Sequence, residues 1–359
     1  MKHVFRTMIA LGVIAFAAAA IAGAGSAGKR AGILACGLMP DTKTSVRWEQ
    51  FDRPYLEKAF KNAGVAARVV NAQGDPQKQK SQADQCIADG AKVLIVAPID
   101  SGSAAAIERA ALAKGVKSID YDRQVEGGVA VLYASFQGNV VGVLQGQGVV
   151  NGLKKAGTYG SHPVVASLWG GQEDANSYLF KGGVDKVLNP LYANGTLKKG
   201  PQQFVPGWDN QKAGTIFEQM LVKTNNKIDA VAAANDGLAN GVVTALKAKG
   251  LKPIPLSGQD ATEQGVQNII SGWQTMTVWK DTRVLAAKSA AAAIALLNGK
   301  KPAQTGTVAN AGGSPAKLPA YIIPPVAITK SNFRQLFNGY LKKSNVCKGE
   351  YAKYCVKPA

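Results

Sequence analysis

The sequence predicts an α/β fold made of two similarly built parallel-sheet units. Short apolar runs of strand length alternate with amphipathic stretches of helix length, which is the pattern of βαβ units. That alternation starts afresh near Phe136. Polar residues also gather where the apolar runs end, and in an open α/β sheet ligands bind at those ends.

The first unit opens with an apolar run at 31–35, read as a buried strand with Cys36 at its end, and a polar turn at 39–45. Val46, Trp48, Phe51, Tyr55, Leu56 and Phe60 then fall at helical spacing, and Gly64 stops the helix. Arg47 and Trp48 thus stand where a first strand gives way to a first helix. One offers a charged fork and the other a flat apolar face. Strands are expected at 67–70, 92–98 and 117–121, with helices at 75–89 and 103–114 ended by Gly90 and Gly115. The last of these strands runs into Asp122 and Arg123.

The second unit reads as a helix at 139–155, a strand at 163–169, a helix at 176–188, a short strand at 203–205 and a helix at 211–224. An apolar strand at 228–234 ends in Asn235 and Asp236 and leads into a helix reaching Lys249. Residues 255–258 run into Gln259 and Asp260, and 271–280 reads as a strand ending in Lys280. An alanine-rich helix at 281–298, a Gly/Pro/Ala loop at 299–319, an extended segment at 321–323 and a helix at 332–343 follow.

At the N-terminus Lys2, His3 and Arg6 precede an apolar run from Met8 to Ala22, and Gly25, Ser26 and Ala27 supply the small residues of a cleavage site. Residues 1–27 are expected to be an export signal, cut near Ala27. Glycines between 23 and 28 break the run short of a membrane span. The remainder, about 330 residues, suits two domains. Lys and Arg number 42 against 23 Asp and Glu, a net charge of +19, which raises the question of an anionic partner. The lysines are scattered singly or in pairs, without an arginine-rich run or an aromatic platform. No nucleic acid is expected.

In an exported chain Cys347 and Cys355, which bracket a short loop, are expected to pair. The sequence leaves open whether Cys36 and Cys86 form a second bridge or stay separate thiols. Beyond the export signal one histidine remains, His162, which argues against histidine-based triads and zinc sites. The Gly-x-Gly-x-x-Gly match at 23–28 falls in the segment to be removed, and no phosphate-cradling loop follows. No cofactor, metal or catalytic residue is expected.

What remains is a set of strand-end and turn residues: Arg47, Trp48, Asp122, Arg123, Asn176, Trp208, Asn235, Asp260 and Lys280. Singly, each has an ordinary structural role, since Asp and Asn cap helices often. Together they suit a monosaccharide. Its hydroxyls both donate and accept, so planar carboxylate, amide and guanidinium groups can each meet two neighbours, while indole rings cover the flat C–H faces. The opposed charges would pair with one another without ligand. The set binds rather than reacts.

Met39-Pro40, Thr44-Ser45, Arg47-Trp48, Tyr121-Asp122-Arg123, Ala234-Asn235-Asp236, residues 257–261 and residues 277–283 resemble, in order, the periplasmic monosaccharide-binding proteins. Within that ribose-binding-like group they are most similar to the D-xylose-binding and multiple-sugar-binding branch. The resemblance implies a type I periplasmic binding protein, with two doubly wound parallel-sheet lobes joined by a multi-strand hinge. It places one lobe at residues 28–135 plus 280–319 and the other at 136–279 plus 320–359. It implies that the nine residues hold a monosaccharide such as D-xylose, glucose, galactose or arabinose, with Trp48 and Trp208 on its faces. It also implies delivery to an ABC permease of the inner membrane, and in some relatives to a membrane sensor, by a monomer in the periplasm that is not an enzyme. Asn176 is carried over across a segment where Ala175 replaces a usual asparagine. Residues 41–45 look like the multiple-sugar branch and Pro206-Gly207-Trp208 like the xylose branch. Competing readings are a sugar-responsive repressor, disfavoured by the export signal and the absence of a helix-turn-helix. Others are a secreted carbohydrate-active enzyme, and a receptor for another polyol or a furanose.

Overall fold

The computed structural model describes residues 32–356; the expected export signal lies outside them. Twelve strands are described in chain order: β1 (Ala35–Met39), β2 (Ala67–Asn71), β3 (Val93–Val96), β4 (Lys117–Tyr121), β5 (Leu132–Phe136), β6 (Val164–Trp169), β7 (Lys198–Phe204), β8 (Ala230–Ala233), β9 (Met276–Trp279), β10 (Gly306–Ala309), β11 (Lys317–Ile323) and β12 (Val326–Thr329). The main helices are α1 (Arg53–Asn62), α2 (Pro76–Ala88), α3 (Ser101–Ala113), α4 (Gly138–Lys155), α5 (Ala175–Ala193), α6 (Asn210–Lys223), α7 (Asp236–Ala248), α8 (Glu263–Ser271) and α9 (Thr282–Leu297).

The first sheet has the order β10-β11-β5-β4-β3-β1-β2, parallel except for the β10–β11 pair. Its strands are apolar on both faces because helices cover both. Ile95 and Ile119 face α1 and α9, against Leu56, Phe60, Leu285 and Ala290. Cys36, Leu38, Leu94 and Val96 face α2 and α3, against Ala83, Ala104 and Ile107. On that second face Cys36 of β1 is bonded to Cys86 of α2, which settles the pairing the sequence leaves open. The second sheet has the order β7-β6-β8, extended by a bridge between Val231 and Leu256. Val165 and Trp169 pack on α4 and α5, whereas Ala166 and Leu168 pack on α6 and α7. Helices α4 and α5 approach closely at Gly142 and Gly183; a Cβ on Gly142 would stand 2.0 Å from the carbonyl oxygen of Phe180.

Among the described residues the chain passes between the units three times: after β5, after β9, and between β11 and β12. The expected last passage at 319/320 is corrected. Residues 320–323 are still paired with β5 in the first sheet, and Pro324-Pro325 follows, where two residues without an N–H cannot extend the ladder.

Several elements differ from expectation. The first strand is Ala35–Met39, four residues on, because pairing with both β2 and β3 fixes the register of an apolar run that carries no periodicity of its own. The first helix begins as a π-turn, Trp48–Asp52. The loop expected at 299–319 contains β10 and the start of β11. The strand expected at 271–280 is only Met276–Trp279, preceded by α8, which Thr262 caps and Gly272 ends at φ 87°. The helix expected at 332–343 shrinks to a 3-10 turn, Phe333–Phe337, and Gly339 at φ 77° turns the chain before Tyr340.

Candidate functional site

Most strand-to-helix turns here carry a capping carboxylate or amide: Asp75, Asp100, Asp174, Asp209, Asn235 and Asp281 each accept from backbone N–H groups of the next helix. The site is assembled by the side chains left over and by caps with a second hand free. Its entrance turn is tied by Asp41, whose carboxylate accepts from the N–H groups of Lys43 and Thr44 at 2.7 and 2.6 Å and from Thr44 Oγ1 at 2.8 Å.

Arg47 follows that turn and is 1% exposed. Nε and Nη2 donate to the two oxygens of Asp52 at 2.8 and 2.7 Å, and Nη1 donates to Asp122 Oδ2 at 2.6 Å. Tyr121 OH donates to Asp52 Oδ1 at 2.6 Å. The guanidinium lies 4.6 Å from the Trp48 ring centre, and that of Arg123 lies 5.3 Å from it. Trp48 Nε1 donates to Thr44 Oγ1 at 3.0 Å. The indole is thus fixed in the plane by a hydrogen bond and on its face by cations.

Asp122 takes a left-handed φ of 63° at the end of β4. Its carbonyl accepts from Tyr133 OH, Ser135 Oγ and Asn176 Nδ2 at 3.0, 2.6 and 3.1 Å, which holds the strained turn. Burial pushes its carboxyl up, but Arg47 first, then Lys280 and Arg123, outweigh that and hold it well below the ordinary carboxylate range. Lys280 Nζ lies 3.5 Å from Asp122 Oδ2 and 3.4 Å from Asp260 Oδ1. Asp260, at φ 93°, accepts from Ser45 Oγ at 2.9 Å through Oδ2.

Arg123 donates to the carbonyl of Pro98 and pairs with Asp174 at 2.8 Å. Asn235 caps α7 through Oδ1, and its Nδ2 donates to the carbonyl of Thr44 at 3.0 Å. Trp208 stands at φ 52° after Gly207, and its edge meets Phe180 at 6.2 Å between ring centres. Its ring lies on Gly170, where a Cβ would come within 2.0 Å of a ring carbon. Gly170 therefore has to lack a side chain.

All nine residues singled out from the sequence line one cleft. Thr44, Ser45, Asp174, Phe180 and Gln259 line it too and were not among the nine. Thr44 had a signal, the Asp-x-x-Thr spacing of a side-chain-tied turn; Phe180 had none beyond helical periodicity. Three buried polar atoms here, Trp208 Nε1, Gln259 Oε1 and Asp260 Oδ1, make no hydrogen bond, though Asp260 Oδ1 is ion-paired with Lys280. They offer one donor and two acceptors.

A protein-family model described as a periplasmic binding protein domain matches residues 36–301. The chain belongs to that family. This periplasmic binding protein is 33% identical over 316 residues to the D-xylose-binding periplasmic protein of Escherichia coli, covering 86% of its own length and 92% of that relative's. It is also 33% identical over 323 residues to a multiple sugar-binding periplasmic receptor of Rhizobium radiobacter, covering 85% and 90%. Among solved structures it is similar to an ABC transporter solute-binding protein of Clostridium phytofermentans with bound β-D-glucose. That match has a TM-score of 0.81 and 29% identity, covering 87% of this chain and 99% of the other. Its two units are the lobes of the type I fold.

Proposed function

We propose that this binding protein captures a monosaccharide, D-xylose or a related aldose such as glucose, galactose or arabinose, between its lobes and delivers it to an ABC importer. The observation that carries the reading is the lining of the cleft: planar charged and amide groups and two indoles, drawn from both lobes, converge on one point. Arg47, Asp122, Arg123, Asn176, Asn235, Asp260 and Lys280 hydrogen-bond the hydroxyls in this reading, and Trp48 and Trp208 cover the C–H faces. The relatives' named ligands support the sugar class. The protein acts as a periplasmic monomer, from which residues 1–27 have been removed. The lobes are taken as residues 32–136 with 280–323 and residues 137–279 with 324–356.

Binding rather than hydrolysis fits the electrostatics. A glycosidase needs a carboxyl whose pKa is raised so that it can donate a proton; the cations around Asp122 act in the opposite direction, and Asp174, which burial raises, is engaged by Arg123 and the N–H of Asn176.

Calorimetry on refolded, ligand-stripped protein against xylose, glucose, galactose, arabinose, ribose and fructose tests the reading. One or two tight binders are expected. Silence across the panel from folded protein would overturn the sugar assignment.

A further inference from the structure

The chain's last stretch has no place in the sugar reading so far. Its end is bound to the second lobe. Cys347 is bonded to Cys355, Asn345 Nδ2 donates to Glu263 Oε1 at 2.6 Å, and Gln267 Nε2 donates to the carbonyls of Asn345 and Val346 at 3.2 Å. Arg283 Nη1 donates to the carbonyl of Asn338 at 2.6 Å. Held between these ties is Tyr340, 4% exposed.

Tyr340 reaches the back of the cavity without lining it. Its OH donates to the carbonyl of Asp260 at 3.2 Å. Its ring stacks on Phe51 with centres 4.8 Å apart and planes 17° apart, and packs against Trp279 at 5.4 Å. Asp260 and Ala261 both stand at positive φ, 93° and 50°, a conformation that costs a non-glycine residue energy and persists only where neighbours hold it. Phe51 lies in the turn Trp48–Asp52, which carries the indole and the carboxylate that orients Arg47. One side chain therefore touches the backbone of a cavity residue in one lobe and the turn behind two cavity residues in the other.

We infer that Tyr340 is a positioning residue of the ligand site: its hydroxyl sets the direction of Asp260, and its ring seats the Trp48–Asp52 turn against the second lobe. The disulfide-closed tail is the mount that keeps it there. The inference rests on the sugar-receptor reading for its effect on affinity, but its effect on the backbone can be measured without ligand.

The test uses the full mature protein with Tyr340→Phe, which keeps the ring, and Tyr340→Leu, which removes both contacts. Amide hydrogen exchange, read without sugar, is expected to quicken at residues 258–262 in both variants and at residues 48–52 only in Tyr340→Leu. Calorimetry with the sugar found by the panel is expected to show Kd raised about 5-fold by Tyr340→Phe, the scale of one hydrogen bond. For Tyr340→Leu a rise of about 50-fold is expected, hydrogen bond and stacked ring together, with full binding stoichiometry in both. Unchanged exchange at 258–262 would overturn the inference. So would wild-type Kd in Tyr340→Leu, or a loss of binding that appears only as reduced stoichiometry, since that marks plain unfolding. A wild-type protein silent across the panel removes the sugar reading, and the exchange experiment still judges Tyr340.

Discussion

Arg47 shows how single residues here do two things at once. Its Nε and Nη2 are bound by Asp52, leaving Nη1 for Asp122, so the guanidinium is aimed before any ligand arrives. Pre-aimed groups spend less ordering free energy on binding. The same holds for Trp48, fixed by Thr44, and for Asp260, set at positive φ with Ser45 and Lys280 on its two oxygens. Trp48→Ala and Asp260→Ala are therefore each expected to abolish sugar binding, at least 100-fold in Kd, because both remove a buried, fully oriented group. Circular dichroism should show both variants folded. Near-wild-type affinity in either one would remove that residue from the site. Which of the strand-end polar residues face the ligand was not readable residue by residue. Asp100 and Asp281 are also aspartates that follow strands, as Asp122 is, yet they cap helices. Side-chain direction at a turn depends on φ, and no local pattern announces the left-handed φ of Asp122 or Asp260.

At the scale of elements, α7 and α8 meet on a buried carboxyl. Asp236, in the first turn of α7, accepts from the N–H and hydroxyl of Thr262 at 2.9 and 3.1 Å and from Gln274 Nε2 at 2.8 Å. Burial outweighs those hydrogen bonds and pushes its pKa up to about 7. The folded protein thus holds this proton more tightly than the unfolded chain, where an aspartate titrates near 4. Its contribution to stability is present in full below about pH 4 and is lost as pH rises through about 7, at a total cost of about 4 kcal/mol. Denaturant titrations between those limits should show the wild-type protein losing about that much more stability than Asp236→Asn. Equal slopes in the two proteins would show that Asp236 stays ionised in the fold. Element order was largely legible from the alternation of strand and helix runs. The misses were physical in kind. β10 is short and largely exposed and β11 carries Pro319 within it; β11 forms because β5 offers it an edge, and β10 then pairs with β11. In contrast, α8 had a readable signature, with Val266, Ile269 and Ile270 at helical spacing between the cap Thr262 and Gly272.

For the whole molecule, what matters is how the two lobes meet. Across the cleft Arg123 pairs with Asp174 at 2.8 Å, both side chains nearly fully buried, and Asn176 donates to the Asp122 carbonyl. Thr44 accepts from Asn235, and Ser45 donates to Asp260. These contacts belong to the closed arrangement, so they bias the equilibrium that a bridging ligand completes. Removing one partner of a buried ion pair leaves the other charge unmatched. Asp174→Asn should therefore open the ligand-free protein, seen as a larger radius of gyration in solution scattering. It should also weaken sugar binding by about 10-fold, because a smaller fraction is competent. A variant with unchanged radius and unchanged Kd would show that this pair does not govern closure.

The sequence by itself determined the class of fold and the family, because periodicity and short motifs are local; that the nine residues it singles out share one cleft was decided by the fold. Tertiary structure decided what depends on distant parts meeting. It fixed the register of β1, set by two neighbouring strands, and joined Cys36 to Cys86 across a strand and a helix. It moved the last passage between lobes to Pro324-Pro325, where β11 runs out of donors. It also brought Tyr340 beneath Asp260, a contact eighty residues apart in sequence that only the folding of the tail onto α8 creates.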